Sequence, residues 1–96
     1  MLEVLKTAIN DRKEIEFTYS GLRRVAQPAA VGELTTGNIA LRCFQTEGGH
    51  ITPGHEWDLC LISDITDINV SDNVFLINPP RYRRGDKHMV RIFVQL

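Results

Sequence analysis

The residues most suited to chemistry are arginines. Arg81, Arg83, Arg84, Lys87 and Arg91 form the densest positive stretch in the chain, with Tyr82 inside it and Asp86 interrupting it. Basic side chains around an aromatic ring can follow a phosphate backbone while the ring stacks on a base. The alternative is a solvated basic loop. Arg23, Arg24 and Arg42 make a second set. Guanidinium forks suit phosphate oxygens because they donate two parallel hydrogen bonds. Arg24 and Arg42 fall on strand-like segments and are expected on one face. The competing reading has these arginines paired with Glu14, Glu16 or Glu33 at the surface.

Other sets match no recognised chemistry. Cys43, His50, His55 and Cys60 are zinc-ligand types, but their spacing has no CxxC or HxxxH form. Ser63, Asp64, Asp67 and His88 could suggest a hydrolase, yet no GxSxG elbow accompanies them. Gly48-Gly49 lacks the GKS/T ending of a phosphate loop. Asp64, Asp67 and Asp72 are not spaced as a calcium loop. The expectation is therefore a non-enzymatic domain with no cofactor and no metal.

The elements that must position these residues follow from periodicity. Leu2, Leu5 and Ile9, with Val4 and Ala8 beside them, mark one apolar face and predict a helix over about residues 2–12. The period then falls to two in residues 14–19, putting Ile15, Phe17 and Tyr19 on one face of a strand. Ser20-Gly21 predicts a tight turn and Arg23 to Ala26 a returning strand, with Pro28 ending the pairing or lying at an edge. Val31 to Leu34 extends the sheet. The strongest strand pattern is residues 39–45, with Ile39, Leu41 and Cys43 on one side. Gly48 to His55 reads as a loop, and Trp57 to Ile62 as a strand. Ser63 to Asp67 is either a short helical turn or a strand connection. Ile68 to Val70 and Met89 to Val94 complete the strands.

Short strands separated by turns predict a mainly β fold: an N-terminal helix on a small antiparallel β-barrel of five or six strands, at about residues 14–95. Ninety-six residues suit one domain. The expected core includes Ile15, Phe17, Leu41, Trp57, Leu59, Ile65, Ile92 and Val94. The formal charge of −1 gives no general attraction to nucleic acid, so an anion site has to be local. Cys43 and Cys60 form no disulfide framework. No secretory leader or transmembrane run is recognisable, and the expected compartment is the cytoplasm.

The order of these segments resembles WYL domains. It is carried by the initial helix, Ile15-Glu16-Phe17-Thr18-Tyr19, Arg23-Arg24-Val25, Gln27-Pro28, Gly37 to Arg42, Phe44-Gln45, Trp57-Asp58-Leu59 and Ile65. The likeness spans about Leu2 to Val70, and the tail with Tyr82-Arg83-Arg84-Gly85-Asp86-Lys87 is similar to short stand-alone members. The resemblance implies an SH3-like, Sm-like barrel and a ligand-sensing regulatory module for nucleic acid or nucleotide-like ligands. Two departures stand out. The family's Trp-Tyr-Leu triplet is here Ile39-Ala40-Leu41, and basic positions on the later strand are here Leu61 and Asp64.

Together these readings make Arg23, Arg24, Arg42, Tyr82, Arg83 and Arg84 the candidate ligand-binding residues. Arginines would hold phosphates and Tyr82 would stack. The candidate ligand is single-stranded nucleic acid or a nucleotide. The alternative function is a protein-interaction or homo-oligomerisation module, with an edge strand such as Val90 to Val94 pairing with another chain.

Overall fold

The structure, a computed structural model, describes residues 1–48 and 54–96. Part of the loop expected from Gly48 to His55, including His50, lies outside the described residues. The chain folds as one helix followed by a six-stranded antiparallel sheet.

Helix α1 (Leu2–Asn10) buries Leu5, Ala8 and Ile9 against the sheet and leaves Val4 exposed. It stops two residues short of the expected end. Arg12 turns into the left-handed region at φ 55°, and its N–H closes onto the Ile9 carbonyl. The Arg12 side chain then bonds the Phe75 carbonyl and Asn78 and lies over the Phe75 ring. The residue that ends the helix thereby anchors a segment far along the chain.

Strands β1 (Lys13–Tyr19) and β2 (Leu22–Leu34) form a hairpin. Ser20 and Gly21 both take positive φ, 53° and 74°, as a two-residue turn matched to strand twist requires. The alternation in β1 is realised, with Ile15 and Phe17 fully buried.

β2 differs most from the sequence reading. It runs through Pro28 as one 13-residue strand. Its pairing with β1 ends at Ala26, and its pairing with β6 (Met89–Gln95) begins at Ala30. Pro28 falls between those two ladders, where its missing N–H leaves no bond unmade on that edge. On the opposite edge, β2 pairs along β3 (Ile39–Gly48), with a register shift between Pro28 and Ala30. β3 in turn pairs with β4 (Trp57–Leu61).

A 3-10 turn at Ile62–Asp64 follows, then β5 (Thr66–Val74), which pairs with β1 and extends well past the expected Val70. The hydrogen-bonded path is β4-β3-β2-β1-β5, with β6 branching from β2. The expected barrel is therefore not closed: among the described residues no ladder joins β4 to β5. β5 is largely exposed and offers little apolar surface to draw that seam shut. The buried side chain of Ile65 covers the core there instead.

Leu5, Ile9, Ile15, Phe17, Val31 and Leu41 form the centre of the core, with Cys43 and Cys60. Trp57, Leu59, Ile92 and Val94, expected inside, are only half-buried. Trp57 and Leu59 stand opposite Phe44 and Arg42 on the outer face of the sheet, away from the Leu41 and Cys43 side. No helix among the described residues is long and apolar enough to cross a membrane.

Gly32 is where β6 presses closest on β2. A Cβ there would stand 2.3 Å from the Arg91 carbonyl oxygen and 2.9 Å from the Met89 sulfur. Gly32→Ala should therefore push β6 outward and lower stability by about 1–3 kcal/mol. Urea unfolding and hydrogen exchange of the Met89–Gln95 amides check this. Unchanged stability with full protection of β6 would contradict the packing.

Candidate anion-binding cleft

The connection between β5 and β6 positions the site. Phe75 is buried and its N–H is held by the Arg12 carbonyl. From residue 78 onward the chain crosses the outer face of β3 and β4. Trp57 donates its indole N–H to the Pro80 carbonyl at 2.8 Å, and its ring stacks on Tyr82 with centroids 6.3 Å apart. Phe44 meets Trp57 edge-on at 5.4 Å. Tyr82 Oη donates to the Leu96 main-chain oxygen at 3.1 Å, and Arg84 Nε donates to the same oxygen at 2.8 Å. The Gly85 N–H bonds Gln95 Oε1 at 2.9 Å. A run of residues that reads as a loose basic loop is thus fastened to β4 and to the end of β6.

Between this strap and the sheet lies a cleft of about 440 Å³. Its apolar surface includes Ala30, Trp57 and Tyr82. Five basic side chains line it, Arg42, Arg81, Arg83, Arg84 and Lys87, against one carboxylate, Asp86. A positive excess is therefore concentrated on one face of a chain whose formal net charge is −1.

Arg42 is the one cation among the five contributed by the sheet. Lying between the buried Leu41 and Cys43, it faces outward and donates through Nε to Asp86 Oδ2 at 2.7 Å. His88 Nδ1 is 3.0 Å from Arg42 Nη2, and the His88 main-chain N–H bonds Asp86 Oδ1 at 2.9 Å. Burial alone would raise the Asp86 carboxyl pKa. The Arg42 hydrogen bond, the His88 main-chain N–H and the positive charge of Arg42 outweigh burial and bring it below the usual carboxylate value. Burial likewise raises Tyr82, partly opposed by Arg84, so its phenol stays neutral and donates. Arg81 reaches Glu56 at 3.9 Å. Arg83 and Lys87 are exposed and have no ion-pair partner among the described residues.

Of the six residues singled out from sequence, the fold gathers Arg42, Tyr82, Arg83 and Arg84. Arg23 and Arg24 lie elsewhere. Arg23 bonds the Asp67 carbonyl and pairs with Glu16. Arg24 stands opposite the core residue Phe17, lies over the Tyr19 ring and pairs with Asp58 at 2.6 Å. The face expected to carry both Arg24 and Arg42 is not formed: Arg24 is on the core side of the sheet and Arg42 on the outer side. Reading from sequence groups Arg81, Asp86 and Lys87 with the basic stretch but leaves them out of the candidate set, and it misses Trp57 and His88 as members of the site. The available signal was the Asp86 that interrupts the basic run, since a lone acid among arginines is a ready ion-pair partner.

Cys43 and Cys60 are both buried, and the thiol of Cys43 is pushed up first by its hydrogen bond to Cys60 and then by burial. Such thiols behave as core side chains. Among the described residues, no three His, Cys, Asp or Glu side chains converge as a metal-holding group. No hydrogen bond links His88 to Ser63, Asp64 or Asp67 among these residues; His88 belongs to the cleft. No family model, curated protein or solved structure matches this chain.

The lowered Asp86 carboxyl has a signed consequence. Its contribution to stability is complete above the ordinary carboxylate pKa, about pH 4, and is lost as pH falls through the lower folded value. Asp86→Asn keeps an acceptor for the His88 N–H and removes the charge. The stability gap between wild type and this variant should be widest near neutrality and shrink on acidification below about pH 4. A gap independent of pH, measured by urea unfolding, would contradict the Arg42–Asp86 assignment.

Proposed function

We propose that this domain is a non-enzymatic binding module for an anionic, phosphate-bearing ligand of the kind presented by single-stranded nucleic acid or a nucleotide. The observation that carries the reading is the clustering of five basic side chains and two stacked aromatic rings on one cleft of a chain with no overall positive charge. Arg83 and Lys87 supply accessible charge, Arg42 and Arg84 supply anchored guanidiniums, and Trp57 and Tyr82 supply apolar ring surface.

The same reading treats the chain as WYL-like. An N-terminal helix, a curled antiparallel sheet and a 3-10 turn before β5 support an SH3-like or Sm-like architecture with an open seam.

A second reading, a protein-interaction or homo-oligomerisation module, is favoured by a different surface. Leu76 and Ile77 are 83% and 85% exposed, separated only by the buried Phe75 from the half-exposed Val74 at the end of edge strand β5.

Fluorescence anisotropy with labelled oligothymidylate and oligouridylate, at two salt concentrations, tests the first reading. Binding should weaken as salt rises, and Arg83→Ala with Arg84→Ala should lower affinity and flatten the salt slope by about one to two units. No binding at low salt, together with salt-insensitive self-association lost on Leu76→Ser with Ile77→Ser, would transfer the case to the second reading.

A further inference from the structure

Among the described residues that line the cleft, His88 is the one whose side chain belongs to the class that changes charge near neutrality. Arg42 can only donate, so its Nη2, 3.0 Å from His88 Nδ1, requires that nitrogen to accept and to carry no proton. The same Nδ1 stands 3.6 Å from Asp86 Oδ1, and the His88 side chain is 55% exposed. A single ring nitrogen, open to water, thus faces one cation and one carboxylate. We propose that His88 is a proton-gated member of the anion site: when its ring takes up a proton, Nδ1 turns from Arg42 to Asp86 and the cleft binds phosphodiester anions more tightly. The proposal rests on the anion-binding reading above and adds the regulation of that site.

Protonation changes three things in the same direction. A protonated Nδ1 no longer accepts from Arg42, which releases a guanidinium N–H for a ligand oxygen. The new N–H donates to Asp86, whose Oδ1 already accepts the His88 main-chain N–H, so the carboxylate is shared between two cations and holds Arg42 less firmly. One positive charge is also added to the cleft. The charged groups around the ring are Arg42 from β3 and, from the strap, Arg81, Arg83, Arg84, Lys87 and Asp86. The arginines and the lysine stay cationic near neutrality. Asp86, held below the usual carboxylate value, stays ionised. The sign is therefore fixed by His88: imidazoles exchange their proton between about pH 5 and 8, and affinity rises as pH falls through that interval. The switch needs side-chain movement and no refolding of the strap.

Labelled oligothymidylate makes the test, since neither its phosphodiesters nor its thymines titrate across that interval. Anisotropy titrations of the full chain at constant ionic strength compare the wild type with His88→Asn, whose amide offers Arg42 an acceptor close to the Nδ1 position and takes up no proton. Wild-type affinity should rise about threefold to tenfold from about pH 8 to about pH 5.5, and the rise should shrink to within about twofold in His88→Asn. His50 and His55 are present in both proteins, so their titration cancels in the comparison. An equal rise in both proteins, or no rise in the wild type, overturns the gate and leaves the anion site standing. Absence of binding to both proteins at every pH overturns the anion site and the gate with it. A second readout needs no variant: by linkage, saturating oligothymidylate should move the NMR titration of the His88 ring protons to higher pH. A His88 titration unmoved by saturating oligothymidylate overturns the gate.

Discussion

β2 has to satisfy three strands at once. One edge follows β3 along most of its length, while the other is divided between β1 before Pro28 and β6 after it. Everything else in the fold is arranged around that division. The proline is tolerated because it falls in the gap, and Gly32 is required where β6 closes in. The hand-over brings β6 alongside β2, and the strap preceding it crosses the outward-facing row of β3. A β2 ended at Pro28 would place neither the strap nor Arg42 beneath it.

The cleft is a product of two covers on the same strands. The inner face of β3 and β4 packs Leu41, Cys43 and Cys60 into the core. The outer face, with Arg42, Phe44, Trp57 and Leu59, is roofed by the strap. Ala30, opposite Arg42 on β2, is buried beneath that cover and, having no side chain beyond Cβ, leaves room for the cleft. The roof is held by polar bonds to Pro80, Leu96 and Gln95 and by the Trp57–Tyr82 stack. On the proposed reading, the anchoring of Arg42 and Arg84 lowers the entropy lost when a ligand binds.

The local elements were legible because each has a single strong period. Leu5 and Ile9 at helical spacing, and Ile15 and Phe17 at strand spacing, are buried as their patterns require. Alternation also marked the core side of β3. What could not be read was set by tertiary pairing. Trp57 and Leu59 have the same apolar character as core residues, and only the register of β4 on β3 shows that they face outward. Arg24 meets Asp58 and Arg42 meets Asp86 across 34 and 44 residues of chain. Sequence spacing carries no information about such contacts. The basic run itself was visible, yet its fastening to Leu96 and Gln95 depends on β6 returning alongside β2.

The most direct test of the central claim, that the strap and the outer face of β3 and β4 form a ligand cleft, is an NMR titration of the isotope-labelled chain with oligothymidylate at low salt. The account predicts shifts confined to the Trp57 indole N–H, the Arg42 guanidinium and the amides of residues 81–88. Shifts centred instead on β5 and on Leu76 and Ile77, with the Trp57 indole unmoved, would contradict it.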